Sequence, residues 1–273
     1  MKNSIKKETL NIWNNKVKKL TFQGKFVELI IEENENIAWK SIINNTPKGI
    51  LSFAMKSCVN GLNTPDNLKR WGKRKLDKCE ICGNRSDLEH ILNWCPVALK
   101  QGRMTWRHDS IVSHMTQAMK KVMPSDLTLY SDIPGHKMNS GTIPPDILVT
   151  SSRPDVVIVD RSSKEIHILE LTCSFEKNIE SAHTLKSRKY NDLKSDLEDK
   201  GWTANLVPFE IGSRGLITKR NKSSIIKTLK KTHMKLNHNR IFKDVSKISL
   251  LCSFVLFQAH AEPSWEDPPF LHP

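Results

Sequence analysis

The stretch "RPDVVIVDRSSKEIHILELT", residues 153 to 172, limits the folds open to this chain more than any other. It reads as two strands, 154–160 and 165–171, joined by the polar turn "RSSK" at 161–164. Antiparallel pairing sets Asp160 opposite Glu165. In the same register Asp155 lies opposite Glu170, on one face, with Cβ atoms about 4.5–5.5 Å apart. Val157, Val159, Ile166 and Ile168 share the acidic face, and Val156, Ile158, Leu169 and Leu171 share the other. A hairpin apolar on both faces belongs in a sheet covered on both sides, here with two acids near one end.

Two carboxylates so close repel unless one takes up a proton or a cation lies between them. Oxygen ligands at that separation suit Mg²⁺ or Mn²⁺. In the alternative reading Asp155 caps a turn and Glu170 pairs with a lysine. The segment that follows, "NIESAHTLKSRKYNDL", places Lys186, Lys189 and Tyr190 on one helical arc. A cation beside a metal orients water and stabilises the extra charge of a phosphorane-like transition state. Strand, strand and helix carrying acid, acid and lysine are what metal-dependent phosphodiester hydrolysis needs.

A second constellation is "CEICGNRSDLEHILNWC", which gives Cys79, Cys82, His90 and Cys95 at the spacing C-x2-C-x7-H-x4-C. Two thiolates of a C-x-x-C turn, a helix-borne histidine and a later cysteine complete a tetrahedral zinc site. Four protein ligands leave no open position, so such a zinc is structural. Chance cysteines packed in a core are the alternative. Cys58, Cys173 and Cys252 are scattered, which is not a secreted disulfide framework, and a reducing compartment, nucleus or cytoplasm, fits.

The net charge of +14 points to a polyanion partner, nucleic acid first, against the plainer reading of a soluble basic protein. The charge is uneven: residues 211 to 243 contain no acid. Lys227, Lys230 and Lys231 in that stretch are candidate phosphate contacts, as are Arg74 and Lys75 on the basic flank of the cysteine cluster. "GSRG" at 212–215 is expected to turn from strand to helix, with Arg214 toward nucleic acid or the acid pair. Basic segments also suit a membrane surface. The longest apolar run, 248–257, is too short to span a bilayer, and the N-terminus has no apolar signal core.

Residues 1–60 show helical spacing of apolar residues, including Trp13, Val17 and Leu20, then Phe26, Leu29 and Ile30, then Trp39, Ile42 and Ile43. Helices are also expected at 103–123, 178–199 and 216–236, and a strand in "TANLVPFEIGSRG". The run 248–257 is a buried strand or helix, 124–146 is rich in turn residues, and the Pro-rich end is irregular.

Taken in order, "RPD", "ELT" and the "K..KY" beyond it resemble the PD-(D/E)xK restriction-like endonucleases. More narrowly, they resemble the endonuclease that ends the polyproteins of site-specific non-LTR retrotransposons, with Cys79, Cys82, His90 and Cys95 matching the zinc knuckle upstream. "RMTWRHDSI" at 103–111 resembles the segment after that knuckle. The resemblance implies an α/β fold with a restriction-endonuclease-like core: a mixed central sheet flanked by helices, preceded by a small zinc knuckle and a helical segment. The expected divisions are 1–66 (connector), 67–112 (knuckle), 113–222 (endonuclease core) and 223–273 (basic helix and tail).

It implies that Asp155 and Glu170 bind Mg²⁺ or Mn²⁺, and that the chain nicks DNA in the nucleus to prime reverse transcription. Element RNA and a separate or fused reverse transcriptase are the further partners, with no membrane. Arg107 joins the nucleic-acid contacts. Two departures stand out. Thr172 occupies the place of the lysine in Glu-x-Lys, so Lys186 or Lys189 takes that role; and no Tyr-x-Asp-Asp polymerase motif is present. His108 and Asp109 are read as structural or DNA-contacting rather than catalytic. The rival readings are a catalytically inactive, zinc-dependent nucleic-acid-binding remnant and an interaction protein with no nucleic-acid role.

Overall fold

The computed structural model describes residues 2–21, 24–33, 46–133 and 141–271. Its centre is a four-stranded sheet in the order β1-β2-β3-β4. The strands are β1 (Leu127–Ser131), β2 (Val156–Asp160), β3 (Glu165–Ser174) and β4 (Thr203–Gly212). The first two pairings are antiparallel and β3 with β4 is parallel, so the sheet is mixed. The β2–β3 register is the one expected, with Asp160 across from Glu165 and Val156 across from Leu169. The turn is set locally: Asp160 Oδ1 accepts from Ser162 N (2.9 Å) and Ser163 N (3.1 Å), and Lys164 takes a positive φ of 53°. Pro208 lies within β4, which is possible because β4 is an edge strand and need not donate outward.

Both faces of the hairpin are covered. Val157, Val159, Ile166 and Ile168 pack with Ile143, Ile147, Tyr190, Leu193 and Leu197. Val156, Ile158, Leu169 and Leu171 join the larger core with residues of α6 (Arg103–Lys120) and α10 (His238–Gln258). The other helices are α1 (Lys2–Lys18), α2 (Gly24–Glu33), α3 (Lys48–Cys58), α4 (Pro65–Arg70) and α5 (Pro96–Lys100), then α7 (Ile179–Lys189), α8 (Asn191–Asp199) and α9 (Lys219–Lys231).

The differences from the sequence expectations have physical causes. The helix expected over 178–199 breaks at Tyr190, whose φ and ψ of −105° and 9° separate α7 from α8. Its ring is buried against the acidic face of the sheet, so tertiary packing overrides helical continuity. The run 248–257 lies in α10, where Val245, Ile248, Cys252 and Leu256 recur at helical spacing and are buried. Strand β1 departs from the turn-rich character of 124–146, since "LTLYS" stands among turn residues. The divisions expected at 112 and 222 fall inside α6 and α9, and one apolar core extends across both. Trp13 on α1 and Leu20 just beyond its end are exposed. Trp39, Ile42 and Ile43 lie outside the described residues.

Arg107 and Arg214 need correction as nucleic-acid contacts. "GSRG" does form the strand-to-helix turn, with Gly215 N donating to Gly212 O (2.8 Å), but the Arg214 side chain turns inward. Its Nε and Nη2 meet Glu176 Oε2 at 2.8 and 2.6 Å, and Nη1 donates to Ser57 O at 3.0 Å. The guanidinium lies 3.9 Å from the ring centre of Phe26 and 4.4 Å from that of Phe175. Arg107 is fully buried on the inner side of α6, where it donates to Ser253 Oγ (3.0 Å) and Cys173 O (3.4 Å). Both cations tie helices to the end of β3.

Arg214→Ala would leave the fully buried Glu176 carboxylate unpaired. We expect it to lower unfolding stability by about 3–5 kcal/mol, measured by denaturant titration. A loss below about 1 kcal/mol, the usual worth of a surface pair, would contradict this placement.

Candidate functional site

Asp155 immediately precedes β2, and Glu170 lies within β3 beside Pro208 of β4. Backbone groups lock the two carboxylates together. Asp155 N donates to Glu170 Oε2 (3.2 Å), and Leu171 N donates to Asp155 Oδ2 (2.7 Å). Glu170 is only 2% exposed, so its charge lacks solvent to stabilise it. Burial raises its pKa above the usual carboxylate range and the Asp155 charge adds to the rise, while Lys186 opposes it.

The structure separates the two candidate lysines. Lys186 Nζ bonds directly to Glu170 Oε1. Lys189 Nζ is 3.9 Å from that oxygen and donates instead to the Tyr190 hydroxyl (2.9 Å). The spacing of three along α7 puts both on the acid-facing side, but only Lys186 makes a short contact. Thr172, on the same side of β3 as Glu170, has a hydroxyl without a hydrogen-bond partner.

His108 adjoins this site, a placement its sequence position does not show. From α6 its Nε2 lies 3.1 Å from Asp155 Oδ2, while Nδ1 lies 2.9 Å from Asp109 Oδ1. Burial alone would lower its pKa. The Asp155 and Asp109 carboxylates outweigh that and push it up to about 10. The imidazolium therefore balances Asp155 much as Lys186 balances Glu170. The adjacent pair "HD" was the available signal, but sequence spacing does not show that α6 ends its reach at the mouth of the hairpin.

The second constellation also assembles. Ligand atoms of Cys79, Cys82, His90 and Cys95 all lie within 4.8 Å of one another, close enough to hold one metal ion. Cys82 Sγ is 3.4 Å from His90 Nε2, and Cys79 Sγ is 4.0 Å from Cys95 Sγ. His90 and Cys95 are brought together by a π-helical turn, His90–Trp94, started by Asp87, whose Oδ1 accepts from His90 N (2.8 Å). Burial raises the Cys82 thiol to about 11, and the neighbouring cysteines add to the rise. It lowers the His90 pKa, favouring the neutral ring that binds metals. Soft sulfur and imidazole donors suit a metal ion such as zinc.

Lys75, Lys227 and Lys230 are exposed. Lys231 is exposed too, with Nζ donating to Asn205 Oδ1 (3.0 Å). Arg74 is engaged locally, with Glu80 at 2.8 Å and the carbonyl of Lys78 at 3.0 Å. Among the described residues no helix is long and apolar enough to cross a membrane.

Removing one thiol should dismantle the four-ligand cluster. Cys82→Ser is expected to lose about one equivalent of bound metal by elemental analysis and to expose residues 71–112 to proteolysis. Purified wild type that is folded there without any metal would overturn the assignment. No protein-family model matches this sequence, and no curated protein matches it.

Proposed function

We propose that the chain is a divalent-metal-dependent endonuclease of the restriction-like type that nicks DNA. The observation that carries this reading is the meeting of Asp155 and Glu170 at one end of the sheet, with Lys186 bonded to Glu170. The two acids would hold Mg²⁺ or Mn²⁺. The donor set fits such an ion, since both groups are hard oxygen ligands brought together by the hairpin. When bound, the ion supplies Lewis-acid stabilisation to a phosphoryl oxygen.

The chain's own groups do the rest. Lys186, released from Glu170, neutralises charge developing on the scissile phosphate and orients water for attack. Lys189 holds the Tyr190 hydroxyl and has a lesser part. His108 fixes the Asp155 carboxylate through Oδ2. Lys75, Lys227, Lys230 and Lys231 offer exposed cations to the phosphate backbone. Cys79, Cys82, His90 and Cys95 would hold zinc, and that ion would be structural because four protein ligands leave no open position. The sequence resemblance to retrotransposon endonucleases supports a nick that primes reverse transcription, in the nucleus, with element RNA and a reverse transcriptase as partners.

One observation favours a second reading, a nucleic-acid-binding remnant without activity. His108 and Lys186 already balance the two acids, so the ion cluster is satisfied without a metal.

Plasmid nicking in Mg²⁺ separates the two. We expect wild type to nick, Asp155→Ala to abolish nicking, and Lys186→Ala to slow it about a hundredfold with DNA affinity little changed. Lys189→Ala should slow it far less. Nicking by Asp155→Ala at the wild-type rate would sink the nuclease reading, and wild type that binds DNA and Mg²⁺ yet never nicks would favour the remnant.

A further inference from the structure

Beside the acid pair lies an open groove of about 590 Å³. Asn93 and Trp94 of the π-helical turn line one side, Leu185 and Lys186 of α7 the other, and Thr172 and Ser174 of β3 lie between. Trp94 is 59% exposed and Leu185 66%. The indole is nevertheless held, because Nε1 donates to Glu89 Oε1 (3.1 Å). Glu89 is itself fixed by Asn178 Nδ2 (2.7 Å) and Lys177 Nζ (2.5 Å). An exposed aromatic ring in a fixed orientation is ready to stack on a flat ligand, with little ordering left to do on binding.

Three residues lining the groove also carry buried polar atoms that lack partners. Ser174 Oγ, Thr172 Oγ1 and Asn93 Oδ1 make no hydrogen bond, and Ser174 is only 9% exposed. Asn93 Nδ2 already donates to Cys173 O (3.0 Å), so its free oxygen can only accept. These oxygens are already buried and unpaired, so an occupant with a polar edge gains hydrogen bonds here that an apolar peptide cannot offer. A nucleobase satisfies both demands, offering a face to stack and an edge with donors and acceptors. Lys186 lines this groove and also contacts Glu170, so an occupant would adjoin the acid pair.

We propose that the groove binds one unpaired base of the DNA strand beside the cut. The identity of the occupant as DNA rests on the nuclease reading; the geometry of the groove does not.

The test titrates the full chain, without added Mg²⁺, with a short single-stranded DNA carrying 2-aminopurine and with the same sequence as duplex. We expect the single strand to be quenched and the duplex not. Trp94→Ala should bind the single strand about tenfold or more weakly, within the range for loss of one stacking contact, and Trp94→Phe should recover most of the affinity. Ser174→Ala should weaken binding without lowering the melting temperature, since its hydroxyl has no partner to lose. Trp94→Ala and Ser174→Ala proteins that remain folded and metal-loaded yet bind the single strand as wild type does would overturn the inference. So would equal quenching by the duplex, or tighter binding of RNA of the same sequence. Single-strand binding that depends on Trp94 in a protein that never nicks would support the groove and count against the nuclease reading.

Discussion

Like charge held in place by the backbone is the constraint on which the structure turns. Asp155 and Glu170 are not neighbours by accident of side-chain rotation. Glu170 accepts from the main-chain N–H of Asp155 and Asp155 from that of Leu171, so the hairpin register itself enforces their approach. Burial makes that approach costly, and the fold answers with two cations from opposite directions, His108 from α6 and Lys186 from α7. Those helices lie on different sides of the sheet, so the charge balance at its end also fixes the layers around it.

The same economy joins the cysteine–histidine cluster to the sheet. Leu88, Ile91 and Leu92, around His90 of that cluster, enter the core that holds Val156, Ile158 and Leu169. Asn93 donates to the backbone of β3 and Asn178 to Glu89, so the cluster's π-helical turn is bonded to both the strand and the segment leading into α7. A metal there would therefore stiffen one wall of the groove beside the acid pair. Buried Arg107 and Arg214 act at the same junction, each spending its charge on internal partners rather than on solvent.

Much of this was legible in residues 153–172, because period-two alternation and a short polar turn determine register and faces together. The ligand set of Cys79, Cys82, His90 and Cys95 was legible for a similar reason, since local spacing brings them together. What sequence could not supply was contact between elements distant along the chain. His108 stands 47 residues before Asp155 and meets it only because α6 packs across the sheet. Arg214 looked like a surface cation in an acid-free stretch, yet Glu176 and two aromatic rings draw it inside. The break at Tyr190 likewise follows from packing against β2 and β3, which no helical periodicity records.

In the proposed reading, Asp155 and Glu170 form a divalent-cation site whose charge His108 and Lys186 balance while no ion is bound. Titrating the His108 ring by NMR, with and without Mg²⁺, tests it most directly. Its folded pKa is raised from about 6.5 to about 10, so the stabilisation it gives is fully present below the lower value and is lost as pH rises through the upper one. The account predicts an imidazolium that persists to about pH 10 without Mg²⁺ and loses its proton at distinctly lower pH when Mg²⁺ is added, because the ion repels it. A ring that titrates near pH 6.5 without metal, or one whose titration Mg²⁺ leaves unchanged, would contradict it.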